Sequence, residues 1–212
     1  MLYSSNRKAQ ILVKRIIIAI TGATGAIYGL RLLEVLQPVP DLETHLVMSG
    51  PGKQTIVHET GRAIKEVESL ADFVYSDRDI GAAISSGSFR TSGMIIAPCS
   101  IKTLSGIANS YCENLTVRAA DVVLKERRKL VLLLRETPLH PGHLRLMLQA
   151  AEAGAIIMPP LPAFYHQPQT IDDIVNQTVG RALDQLDLEP EVIAPLFKRW
   201  EGVRGLPKKE EV

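Results

Sequence analysis

Short runs of β-branched and aliphatic residues recur along the chain, each closed by glycine, proline or serine and each followed by a longer stretch with apolar residues at helical spacing. This alternation marks βα units feeding a parallel sheet covered on both faces, because a strand buried on both sides reads as an unbroken apolar run. It predicts strands over residues 15–21, 44–49, 93–97, 130–134 and 155–158, with a minor one at 73–75. Helices are predicted over 26–36, where Ile27, Leu30, Leu33 and Leu36 share a face and Pro38 ends the element, and over 118–128, 140–153 and 171–186. The last opens on Asp172-Asp173, which suits the positive end of a helix dipole. The expected class is α/β.

Length and composition add little beyond this. The 212 residues, 46% hydrophobic and 22% charged, suit one ordinary core. Residues 1–14 read as a flexible polar and basic lead, 15–200 as a single domain and 201–212 as a charged, mobile tail. The run Ile16-Ile17-Ile18-Ala19-Ile20 is too short for a membrane span and lacks a signal-type cleavage pattern. With 24 basic against 23 acidic residues, no global field recruits nucleic acid or an anionic membrane, so any phosphate chemistry must rest on local clusters. Two cysteines, Cys99 and Cys112, make neither a disulfide framework nor a zinc site and fit a reducing, cytoplasmic compartment.

In open parallel sheets ligands bind beyond the carboxyl ends of the strands, so the loops found there are read together. The first, Thr21-Gly22-Ala23-Thr24-Gly25-Ala26, allows tight turning at Gly22 and close approach at Gly25, and leads into a helix start able to receive an anion. Ser49 follows the second strand where a dinucleotide fold would place a ribose-binding acid, which argues against NAD; Gly50-Pro51-Gly52 after it reads as a stiff turn. Pro98-Cys99-Ser100-Ile101-Lys102-Thr103 follows the central strand. Its hydroxyls serve either as donors to an anion or as helix caps, and Cys99 reads better as a small buried residue than as a nucleophile. Arg135-Glu136 stands at the mouth of the sheet after 130–134, either as a site pair or as a surface ion pair. Arg118 and Lys125 lie on one helix face with Asp121 between them. The proline-rich stretch 158–168, which holds Phe164, Tyr165 and His166, reads as a rigid functional loop, and Tyr165 with Arg181 could complete an anion pocket. Trp200 reads as an anchor for the tail.

Several of these strings in order resemble one family. They are Thr21-Gly22-Ala23-Thr24-Gly25-Ala26-Ile27-Tyr28-Gly29, Ser85-Ser86-Gly87-Ser88-Phe89, 98–103, 118–128, Arg135-Glu136-Thr137-Pro138-Leu139-His140 and Phe164-Tyr165-His166-Gln167-Pro168. Over most of 15–200 the chain is similar to the flavin prenyltransferases, also known as 3-polyprenyl-4-hydroxybenzoate or phenylacrylic acid decarboxylases. The resemblance implies a doubly wound, Rossmann- or flavodoxin-like three-layer domain that binds flavin, in a homo-oligomer that is dodecameric in the family. It implies transfer of a dimethylallyl group from dimethylallyl monophosphate to N5 and then C6 of reduced FMN, giving prenylated FMN for a UbiD-type decarboxylase of the ubiquinone pathway. By the same resemblance Gly22, Ala23, Thr24, Ser49, Ser100, Ile101, Lys102, Thr103, Arg118 and Arg135 fall at cofactor positions. Lys125, Arg135, Tyr165 and Arg181 match the prenyl-phosphate pocket, and Glu136, Thr24, Lys125 and Glu59 match positions around the reacting groups. Where relatives most often carry Ser, this chain has Thr24, and where they often continue Lys-Ala-Ala it has Gly50-Pro51-Gly52.

The residues support that reading independently. No aspartate-rich pair of motifs is present to hold divalent metal on a diphosphate, so the leaving-group charge falls to Lys125, Arg135, Arg181 and the Tyr165 hydroxyl, and no metal is expected. Glu136 beside Arg135 is the leading candidate for proton transfer, with the released phosphate as the other. An aromatic acid decarboxylase using FMN, or its flavin-carrier subunit, is the alternative.

Overall fold

A computed structural model describes residues 13–200 and 202. The expected lead and tail therefore lie outside the described residues except for Val13, Lys14, which already belongs to the first strand, and Gly202. Six strands form one all-parallel sheet in the order β3-β2-β1-β4-β5-β6. They are β1 (Lys14–Ile20), β2 (Leu42–Met48), β3 (Phe73–Ser76), β4 (Gly93–Cys99), β5 (Lys129–Leu134) and β6 (Ile156–Ile157). The chain winds outward from β1 through β2 to β3, then returns to β4 and winds the other way, which makes the sheet doubly wound with its switch point between β1 and β4.

β1 shows why the strands read as unbroken apolar runs. Ile16, Ile18 and Ile20 face one core with α1 (Ala26–Leu36) and α7 (Ile171–Asp184), while Ile17 and Ala19 face the other with α4 (Ile101–Ala108), α5 (Leu115–Lys125) and α6 (Pro141–Glu152). Both faces are covered, so no alternation survives. Predicted and observed elements differ mainly at their ends. α5 starts three residues before the expected 118 because the Asn114 side chain accepts from the Val117 N–H and caps it there.

The larger difference is α2 (Gly50–Thr60), where a stiff turn was expected. Proline costs nothing in a first helical turn, since its missing N–H would be unpaired anyway, and the Ser49 hydroxyl accepts from the Gly52 N–H to cap the helix. α3 (Ile64–Glu68), a 3₁₀ turn at Ala83–Ser85 and α8 (Pro190–Ile193) complete the described chain. No helix among the described residues is long and apolar enough to cross a membrane.

Candidate active site

The switch point is stitched by one buried hydroxyl. Thr21 Oγ1 donates to the Pro98 carbonyl at 2.8 Å and accepts from the Ser100 N–H at 2.8 Å, while the Thr21 N–H also reaches Pro98 O at 3.2 Å. These bonds hold the end of β1 against the end of β4 and aim the start of α4 into the cleft between them. The Ser100 hydroxyl accepts from the Thr103 N–H at 3.3 Å and lies 3.0 Å from Thr103 Oγ1, so it works as a helix cap. The N–H groups of Ile101 and Lys102 are the ones helix geometry leaves over for a ligand. α2 presents its own amino end to the same cleft through Ser49 and Gly50.

The cleft measures about 440 Å³ and is lined by Gly22–Thr24, Ser49–Pro51, Ser100–Thr103, Arg135 and Glu136, joined by Asp77 and Asn114. It thus gathers Gly22, Ala23, Thr24, Ser49, Ser100, Ile101, Lys102, Thr103, Arg135 and Glu136 from four strand ends. Asp77 and Asn114 were not anticipated. Asp77 Oδ1 accepts from the Thr116 N–H at 3.1 Å and from its hydroxyl at 2.6 Å, which ties the loop after β3 to the start of α5. Asp or Asn near a helix start was the available signal.

Within the first loop the two glycines exchange the roles expected of them. Gly25 carries the turn, with φ of 99°, whereas Gly22 supplies the close approach, since a Cβ there would collide with Pro51. The start of α1 also differs from expectation: it already holds an anion. The Glu59 carboxylate, from the end of α2, accepts from the Gly25 and Ala26 N–H groups at 2.9 Å each. Glu59 consequently lies outside the main cleft, in a groove between α1 and α7.

Arg118 and Lys125 also stand apart from the cleft in the single chain. Arg118 pairs with Asp121 at 3.2 Å and does not line it. Lys125 sits at the far end of α5, 2.6 Å from Glu126, beside the loop that Arg128 holds through the Gly87 and Phe89 carbonyls. Gly93 pairs with Lys129, so this is the amino edge of the sheet, while Arg135 leaves β5 at the carboxyl edge. The six residues of β5, at about 3.3 Å each, keep the two cations roughly 20 Å apart. Arg135 and Glu136 are not paired either: no ion pair joins them among the described residues, and Glu136 Oε1 accepts from the Thr137 N–H at 3.1 Å. Successive side chains leaving a strand point to opposite sides, which accounts for it.

Tyr165 and Arg181 do meet, in a second cavity of about 710 Å³ with Gln177, Phe197, Arg199 and Trp200. Gln177 Nε2 donates to Tyr165 Oη at 3.1 Å, and Trp200 lies edge-on to Tyr165 with ring centroids 5.6 Å apart. His166, next to it, keeps both ring nitrogens buried without a hydrogen-bond partner among the described residues. Cys99 is fully buried, and burial pushes its thiol far above the ordinary range, so it is no nucleophile. Among the described residues no group of three or more His, Cys, Asp or Glu is placed to hold a metal ion.

Comparison with known proteins places this architecture. Residues 4–183 match the Flavoprotein family. The flavin prenyltransferase UbiX of Escherichia coli K12 is 63% identical over 191 residues, which span 90% of this chain and all of that protein. The chain belongs to the UbiX flavin prenyltransferase family. It is a prenyltransferase, as the resemblance of its motifs implied. UbiX of Thauera aromatica is 61% identical over 188 residues, covering 89% of this chain and 94% of that one. The solved structure of AnUbiX (PadA1) in complex with FMN and dimethylallyl pyrophosphate superposes with a TM-score of 0.85 at 49% identity, over 90% of this chain and 98% of that chain. A dodecameric FMN-dependent UbiX-like decarboxylase from E. coli O157:H7 gives 0.84 at 52% identity, over 89% and 100%.

Proposed function

We propose that this chain joins a dimethylallyl group from dimethylallyl monophosphate to N5 and C6 of reduced FMN and releases phosphate. The observation that carries this reading is the convergence of two helix amino ends, the Ala23–Thr24 backbone and Arg135 on one cleft at the switch point. Those donors suit an anionic, flat ligand: the helix starts favour a phosphate, and the glycine loop lets a ring approach the backbone closely. FMN fits there, held by the starts of α2 and α4, by the first loop and by Arg135.

Reduced FMN supplies the two nucleophilic positions. The prenyl carbon–oxygen bond breaks with its electron pair leaving on phosphate, and bonds form to N5 and C6. Two protons leave the flavin, one from N5 and one from C6; one is delivered to the prenyl double bond and the other ends on the released phosphate, so the step balances as hydrogen phosphate. Glu136, in the cleft and without an arginine partner among the described residues, is the residue read as moving the C6 proton, with Thr24 lining the same cleft and the released phosphate as the competing base. Charge on the leaving phosphate is met by Arg135, Lys125, Arg181 and the Tyr165 hydroxyl.

Within one chain these four cannot act together, since Lys125 lies at the opposite sheet edge and Tyr165 with Arg181 lines a separate cavity. The site is therefore read as completed between copies of the chain, and the dodecameric relative supports such an assembly. The product would pass to a UbiD-type decarboxylase. The test is stoichiometry under anaerobic conditions: one phosphate released for each reduced FMN consumed supports the reading, and phosphate release that ignores FMN refutes it.

A further inference from the structure

Arg181 is held by a group that the reaction itself does not use. Asp184, one helical turn further along α7, accepts from Arg181 Nη1 through Oδ2 at 2.9 Å. The same carboxylate takes a two-pronged grip from Arg199, with Nη1 to Oδ2 at 3.1 Å and Nη2 to Oδ1 at 2.7 Å. The Asp184 side chain is 12% exposed, against 45% for Arg181 and 57% for Arg199. The carboxylate thus lies beneath its two partners, and the guanidinium groups face outward.

A second, independent fit fastens the same segment. Gly180 is buried in the middle of α7, where glycine weakens a helix relative to alanine. A Cβ at that position would come within 2.5 Å of the Phe197 ring. The glycine leaves room for Phe197 to lie on the helix directly before Arg181, and Arg199 sits over the Phe197 ring at 5.6 Å. Trp200 then packs edge-on against Tyr165. The segment 197–200 therefore touches both residues of the second cavity, Tyr165 directly and Arg181 through the shared carboxylate.

We propose that Asp184 is a positioning residue for the prenyl phosphate: it aims Arg181 and, through Arg199, straps the C-terminal segment 197–200 across Tyr165. Two guanidinium groups on one carboxylate leave a net positive charge facing the cavity, and Asp184 suppresses the repulsion between them while fixing their orientation. This rests on the reading that Tyr165 and Arg181 meet the substrate phosphate.

Steady-state kinetics of the whole enzyme test it, with FMN affinity measured separately by titration. Asp184→Asn is expected to raise the KM for dimethylallyl monophosphate about tenfold, the effect of releasing one charge-assisted contact, with kcat and FMN affinity within about twofold of wild type. Arg199→Ala should raise KM in the same direction and Arg199→Lys should recover part of the loss. Neutralising Asp184 adds positive charge, which by itself would tighten phosphate binding, so a rise in KM is not a result that simple electrostatics gives. A fall in KM, an unchanged KM in both Asp184→Asn and Arg199→Ala, or a parallel loss of FMN affinity overturns the proposal. Arg181→Ala separates the two layers. If it leaves KM unchanged, the substrate reading fails and the proposal with it; if it raises KM while Asp184→Asn and Arg199→Ala do not, the positioning role alone fails.

Discussion

Replacing Thr21 by valine removes the hydroxyl that joins β1 to β4 and leaves the volume almost unchanged. Two bonds of 2.8 Å are lost, but not with equal consequence. The Pro98 carbonyl keeps the Thr21 N–H as a partner, so its share is about 1 kcal/mol. Among the described residues the Ser100 N–H has only this hydroxyl and is left unpaired, at about 1–3 kcal/mol. Burying a methyl in place of the hydroxyl returns roughly 1 kcal/mol. The net loss is about 1–3 kcal/mol, or a fall in Tm of about 3–10 °C for a domain of this size, compared at fixed protomer concentration. Because the orphaned group is the first residue of the α4 cap, FMN affinity should weaken as well. Thr21→Ser, which keeps the hydroxyl, should lose stability by its missing methyl and retain FMN affinity. A Thr21→Val enzyme within about 0.5 kcal/mol of wild type that binds FMN normally would refute the account of the switch point.

Glu136→Gln should bind FMN as wild type and lower kcat by about 10²-fold or more, read by single-turnover absorbance; unchanged turnover removes Glu136 from proton transfer. Mixed oligomers of Lys125→Ala and Arg135→Ala, each nearly inactive alone, should regain activity, reaching about a quarter of wild type on random mixing because one site in four then draws both intact residues. Recovery of none would place each site within one chain. His45, buried on β2, stacks on Phe73 and lies 3.0 Å from the Tyr75 hydroxyl. Burial lowers its pKa, with Glu43 opposing. The unfolded chain therefore binds the proton first, so stability is full above about pH 6.5 and falls as pH drops through that value. Urea midpoints should show this fall, and His45→Phe should flatten it.

The sheet was legible because its strands are buried on both sides, and the Ile16–Ile20 run leaves no other reading. α2 was not legible. Its first three residues, Gly50-Pro51-Gly52, look like a turn, and with only Gly52 and Ile56 buried it shows no helical apolar stripe. Its existence depends on the Ser49 cap and on Gly22 making room for Pro51, both tertiary facts. In the site, Ser100 and Arg135 could be found because they follow strong strands. Asp77 and Asn114 come from the loop after an exposed edge strand and from a helix start misplaced by three residues, so the one signal available, an Asp or Asn near a helix start, did not point to the cleft. The Glu59 plug on α1 joins residues 33 and 34 positions apart, a pairing that only the packing of α2 on α1 creates.

The central claim is flavin prenylation in the cleft at the switch point, and the mass of the flavin tests it most directly. Metal-stripped protein incubated anaerobically with reduced FMN and dimethylallyl monophosphate should yield FMN heavier by one five-carbon prenyl unit, and Arg135→Ala should abolish that product. Flavin recovered at its original mass from protein shown to have bound it would contradict the account.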